Sequence, residues 1–199
     1  MCGRYSLKNS GRVKKIYNLD LKPRYNIAPS QEILTVTDKP QMMKWSYSPS
    51  WPKEPMNLIN ARSETLSEKP SFREAKRCVI VADGWYEWKK EAESKTPYYH
   101  HLNGEVFHFA GLYNSNGCLI VTKEACSELS HIHGRMPVLV EDSEIRNWLG
   151  GEDLFTSSLS NLIHTYPVSK HVNNPRNDDK NCCIEMTSPR LFSLPHPVK

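Results

Sequence analysis

Fourteen prolines are spread along this 199-residue chain, and they leave little room for long helices. Each proline removes a backbone donor, and its ring clashes with the preceding turn of a helix. What lies between them is short and β-branched or aromatic. GRYSL, ILTVT, RCVIVA, PYYHHL, EVFHFAGLY, CLIVT and MPVLV are runs of strand length. Two connections, HLNGEVF and YNSNGCL, carry Asn-Gly and predict hairpins. Helical windows are fewer. SETLSEKPSFREAKR has room for one or two short helices broken near Pro70. EDSEIRNWLGG predicts a helix started by Asp142 or Ser143, with Ile145, Trp148 and Leu149 as its apolar face and Gly150 at its end. TSSLSNLIHTY is a further helical window. The expected fold class is α+β: one domain over residues 1–199, mainly antiparallel β with peripheral helices, and a Pro-rich surface tail from about residue 184.

At 38% hydrophobic and 24% charged residues, the composition is that of an ordinary globular protein. No apolar run approaches the roughly 20 residues that cross a bilayer. The opening MCGRYSLKNSGR has no apolar stretch of signal-peptide type, so the expected location is cytoplasmic. Six cysteines at 2, 78, 118, 126, 182 and 183 include no C-x-x-C pair, and free thiols are expected. The net charge of +4 is a mild lean toward polyanions.

Several short segments could carry chemistry. Removal of Met1 would leave Cys2 with a thiol and a free amine two carbons apart. An α-amine has a reference pKa of about 7.7–8.0, so a fraction is neutral and nucleophilic near pH 7. Such an amine condenses with aldehydes, and the thiol can close a thiazolidine on the same carbon. A cysteine at position 2 is also a common accident. In Asn60-Ala61-Arg62-Ser63-Glu64-Thr65, Asn60 offers a fixed amide and Arg62 suits a phosphate. Taken alone, that hexapeptide reads first as a strand end followed by a helix start capped by Ser63 or Thr65. In Asp83-Gly84-Trp85-Tyr86-Glu87-Trp88, a carboxylate between aromatics is partly desolvated and becomes a candidate proton shuttle; alone it reads first as a surface Glu. His131-Ile132-His133-Gly134-Arg135 offers groups that titrate near neutrality and a further phosphate contact. In a strand His131 and His133 would share a face, but no ligand cluster with zinc-like spacing accompanies them, and no metal is expected. His100, His101 and His108 read as strand surface positions. Pro29, Trp45 and Trp51 lie beside Arg and Lys, where exposed rings stack on unpaired bases, although such tryptophans are more often core residues.

Taken in order, seven segments resemble the SOS response-associated peptidase (SRAP) family. They are Met-Cys-Gly-Arg-Tyr at 1–5, Arg-Tyr-Asn-Ile-Ala-Pro at 24–29, Lys-Trp-x-x-x-Pro-x-Trp at 44–51, Asn-Ala-Arg-x-Glu-Thr at 60–65, Asp-Gly-Trp-Tyr-Glu-Trp at 83–88, His-x-Arg-Met-Pro at 133–137 and Pro-Val-Ser-x-x-Val at 167–172. The resemblance implies an α+β domain of curved antiparallel sheets that binds single-stranded DNA and bonds its N-terminal cysteine to the ring-opened sugar of an abasic site. Carried over, Cys2 supplies amine and thiol, Asn60 holds the amine and the sugar, Glu87 moves protons, and His133 acts on the ring oxygen. Arg4, Arg62 and Arg135 would grip phosphates, and Pro29 and Trp45 would pack on flanking bases. The partner implied is single-stranded DNA containing abasic sites, with a monomeric protein and no metal or cofactor. Other readings are an N-terminal-cysteine autopeptidase and a non-covalent module for single-stranded or modified DNA. Ser46 stands where the family commonly has Gly, and no function attaches to Cys182 and Cys183.

Overall fold

Apolar runs too short for helices pair into strands, and here they do so in two sheets. The structure, a computed structural model, describes residues 2–186. In chain order its strands are β1 (Arg4–Leu7), β2 (Arg24–Ile27), β3 (Glu32–Val36), β4 (Pro40–Lys44), β5 (Asn60–Arg62), β6 (Lys76–Ala82) and β7 (Gly84–Lys90). They continue with β8 (Lys95–His101), β9 (Phe107–Asn114), β10 (Gly117–Glu124), β11 (Arg135–Pro137), β12 (Leu139–Val140) and β13 (His164–Pro167). The smaller sheet runs β13-β8-β7-β1-β2. The larger runs β11-β10-β9-β6-β3-β4, with β12 added on β9 and β5 on β10. Of these pairings only β5 with β10 is parallel. Three short α-helices, α1 (Ser10–Tyr17), α2 (Ser127–Ser130) and α3 (Ile145–Leu149), complete a single α+β domain.

Strand periodicity distributes the apolar residues over three clusters. In β6, Cys78 and Ile80 face the layer between the sheets while Val79 faces outward toward α3. In β10, Cys118 and Ile120 again point inward and Leu119 and Val121 outward. Both faces of these central strands are covered, which is why they read as continuous apolar runs rather than alternating ones. The inner layer brings Tyr5 and Trp85 of the smaller sheet against Phe109, Ile33 and Trp45 on the larger. Trp148 of α3 closes the outer face, donating its indole N–H to Cys78 O at 2.8 Å.

Several local expectations are corrected. The Asn-Gly of HLNGEVF does turn, with Asn103 at φ 49° and Gly104 at φ 79°. The strands it joins, β8 and β9, belong to different sheets, so it is a corner and not a hairpin. YNSNGCL does form one, with Gly117 opposite Asn114. SETLSEKPSFREAKR holds two 3-10 turns, Ser63–Thr65 and Pro70–Phe72. EDSEIRNWLGG is a 3-10 turn followed by α3, and Glu141 is its cap in a reciprocal capping box with Glu144. TSSLSNLIHTY divides into a 3-10 turn, Ser158–Leu162, and β13. His100 and His108 are buried, not surface positions. His131 and His133 lie in the connection between α2 and β11, not in a strand. Beyond residue 186 the expected tail lies outside the described residues; Glu185 bridges Val168. Among the described residues no helix is long and apolar enough to cross a membrane.

Candidate functional site

Glu87 owes its burial to alternation along β7. Trp85 points into the inner layer, so Glu87, two residues on, faces the same way where the two sheets meet. Its side chain is only 4% exposed. Burial pushes its carboxyl up to about 7, within reach of both protonation states at neutral pH. The antiparallel pairing of β1 with β7 sets Arg4 opposite Tyr86, and Cys2 lies just before β1.

Cys2 is fully buried, and its thiol is raised well above the ordinary cysteine range, first by that burial and then by the nearby charge of Glu87. Its carbonyl is held by Asn60, whose Nδ2 donates at 2.8 Å. Asn60 opens β5 and is fixed by the parallel register that places it opposite Ile120. Its Oδ1 is buried and has no hydrogen-bond partner among the described residues. His133 approaches from the segment before β11, with Nδ1 3.8 Å from Glu87 Oε2. The same Nδ1 lies 3.0 Å from the backbone nitrogen of Arg135 and 3.2 Å from its carbonyl oxygen, so the main chain of Arg135 holds the ring through that nitrogen. Burial lowers the pKa of this imidazole. Cys2 and Glu87 thus come from the smaller sheet, Asn60 and His133 from the larger. Beside them opens a cleft of about 430 Å³ lined by Gly3, Arg4, Glu87, Trp88, Lys95 and His133.

The groups expected to meet DNA divide. Arg62 is exposed, and its side chain makes no hydrogen bond or ion pair among the described residues. Arg135 is committed to a bidentate pair with Glu64 at 2.7 and 2.9 Å and also donates to Thr122 O at 2.7 Å. That guanidinium holds the Glu64 carboxyl down at about 2. Arg4 lines the cleft while donating to Asn26 Oδ1 at 2.9 Å and Val172 O at 2.8 Å. Pro29 is half-buried in the turn after β2. Trp45 is corrected: it is fully buried, edge-on to Tyr5, with its indole N–H given to Ile59 O at 2.9 Å. Its ring is core and offers no face to a base. Trp51, at 60% exposure, is the tryptophan of that segment that does. Trp88 and Lys95, which line the cleft, were not singled out from sequence; their place one residue after Glu87 and on the neighbouring strand β8 is the signal that could have found them.

The chain matches the model of the family described as SOS response associated peptidase (SRAP) over residues 1–175. It is 35% identical to abasic site processing protein YoqW of Bacillus subtilis (strain 168), over 89% of this chain and 96% of that one. It is 28% identical to abasic site processing protein YedK of Escherichia coli (strain K12), over 89% and 96%. Among solved structures, a protein from Bacteroides thetaiotaomicron shares the fold with a TM-score of 0.76 at 23% identity, covering 94% of this chain and all of the other. By this match over most of its length, the chain belongs to the SOS response associated peptidase (SRAP) family.

Proposed function

We propose that this protein processes abasic sites in single-stranded DNA by bonding Cys2, once Met1 is removed, to the ring-opened sugar. The observation that carries the reading is the convergence of Cys2, Asn60, Glu87 and His133 from two sheets on one cleft edge. The names of the relatives, abasic site processing proteins, favour the same substrate.

The chemistry balances without a cofactor. The Cys2 amine adds to the aldehyde carbon, water leaves, and an imine forms. The thiol then adds across the C=N bond, its proton passing to nitrogen, and a five-membered ring closes. Both nucleophiles sit on one residue, so closure is intramolecular. Glu87, poised near neutrality, takes a proton from the ammonium and returns one to the departing hydroxyl. The thiol is held protonated by burial, which suits a group that acts second, after the amine. Asn60 Oδ1 is the acceptor available to the amine. His133, held through Nδ1 by the main chain of Arg135, is the acid for the sugar ring oxygen as it opens.

A denaturing gel of the protein, with Cys2 verified as its first residue, and a single-stranded oligonucleotide bearing one abasic site is the test. A heat-stable shifted band is expected, absent in Cys2→Ser. No band with the wild-type protein overturns covalent capture. If a native gel still shows binding in that case, the chain is a non-covalent binding module.

A further inference from the structure

Two of the three residues that matter here, Asp179 and Cys182, lie beyond the span matched by the family model, which ends at residue 175. We propose that His171, Asp179 and Cys182 form a binding site for a divalent cation of the zinc class. The three offer one nitrogen, one oxygen and one sulfur, and these atoms lie within 4.8 Å of one another. A tetrahedral metal with bonds of about 2.0–2.3 Å sets its ligand atoms about 3.3–3.7 Å apart, so small side-chain rotations close the set. Imidazole and thiolate together select Zn²⁺ or Co²⁺ over Mg²⁺ or Ca²⁺.

Two neighbouring 3-10 turns present the ligands, one carrying His171 and the other Asp179 and Cys182. Ser169 caps the 3-10 turn Lys170–Asn173 by accepting from His171 N. Asp179 caps the turn Lys180–Cys183, using Oδ1 to accept from Asn181 N at 2.8 Å. That leaves Oδ2, which meets His171 Nε2 at 3.0 Å. Cys182 is fully buried and gives its thiol hydrogen to Asn177 O at 3.3 Å. The His171 and Asp179 side chains are 35% and 47% exposed, so a fourth position opens to solvent. On loading, the Cys182 thiol proton leaves to solvent. The imidazole proton moves from Nε2 to Nδ1, and the Asn177 amide, now 3.1 Å from Nδ1, turns its oxygen toward it.

The site would staple a strap that braces the cleft. Val172 O and Asn173 O accept from Arg4, and Asn173 Oδ1 accepts from Trp88 Nε1 at 2.8 Å. Asp178 Oδ1 accepts the backbone N–H groups of Tyr25 and Asn26 on β2.

Titration of the chelator-stripped, full-length protein with Co²⁺, followed by absorbance, tests this. One equivalent of cobalt should produce a thiolate-to-cobalt charge-transfer band that Zn²⁺ displaces. The band should vanish in Cys182→Ser and persist in Cys183→Ser. His171→Gln, which leaves both thiols in place, should weaken cobalt binding about tenfold or more. Zn²⁺ should raise the melting temperature of the wild type but not of His171→Gln, the variant that decides if Cys182→Ser fails to fold. Absence of a saturable band, or one that survives both Cys182→Ser and His171→Gln, overturns the site.

Discussion

Glu87 shows what a buried carboxyl costs and why it is worth keeping. Its pKa is raised from 4.5 to about 7 by burial, so the folded state holds a proton that the unfolded chain has already released. The contribution is therefore fully favourable below about pH 4.5 and is lost as pH rises toward 7. The shift corresponds to about 3 kcal/mol at high pH. Glu87→Gln should match the wild type in stability near pH 4 and exceed it by an amount of that order at pH 8, while slowing abasic-site capture. Chemical denaturation at the two pH values checks this; a variant less stable at pH 8 refutes it. The two tryptophans at 45 and 51 separate in the opposite way. Trp45→Ala empties the inner layer and should cost about 3–5 kcal/mol. Trp51→Ala should leave the melting temperature unchanged and weaken single-strand binding, measured by fluorescence anisotropy. At this scale Cys2, Asn60, Glu87 and His133 stand out in the sequence only through the ordered motifs that resemble the family, since the segments of Asn60 and Glu87 taken alone read first as ordinary structure. The depth of Trp45 is not legible, because a tryptophan beside Lys44 and Ser46 has the same local pattern whether it packs edge-on against Tyr5 or stacks on a base.

At the scale of elements, the apolar strands declared themselves. RCVIVA makes up β6 from Arg77 to Ala82, and CLIVT lies wholly in β10. Their content suffices because both faces are covered. Where polarity and burial part company the pattern fails. α1 carries Lys14, Lys15 and Arg12 with a single fully buried residue, Val13, so no apolar stripe announces it. HLNGEVF has hairpin chemistry, but the next strand is taken by the other sheet, a choice made by long-range packing. PYYHHL runs along β8 as far as His101, and its His100 is buried, with its ring stacked on Trp85 at 4.8 Å. Burial lowers that imidazole to about 3. A depressed base stays neutral in the fold while the unfolded chain protonates, so its contribution is present above about pH 6.5 and lost as pH falls toward 3. His100→Phe keeps a ring against Trp85 and removes the titration. Between pH 6.5 and 4 it should lose on the order of 3 kcal/mol less stability than the wild type. Equal acid sensitivity of the two proteins would show that the ring is protonated where it sits.

For the whole molecule, the consequence of two sheets is that the site is assembled only when they meet. Asn60 reaches Cys2 across that seam, and Glu64, four residues after Asn60, meets Arg135 beside it. The net charge of +4 is small, so the proposed affinity for DNA must rest on a few well-placed cations rather than on a general field. Each phosphate contact contributes about 0.7 to the slope of log affinity against log salt for single strands. The Arg62 side chain is exposed and without a bonded partner among the described residues, so Arg62→Ala should reduce the slope by about that amount and leave the fold unchanged. Arg135 differs, because Glu64 already occupies its fork in two parallel bonds. A phosphate must share that guanidinium or displace the carboxylate. Glu64→Gln keeps the shape and removes the competing charge. It should therefore bind undamaged single strands more tightly at low salt and steepen the slope by up to about 0.7. Arg135→Ala in the same background should cancel both gains. If Glu64→Gln leaves affinity and slope where they were, Arg135 is a strut between β10, β11 and the Ser63–Thr65 turn and takes no part in holding DNA.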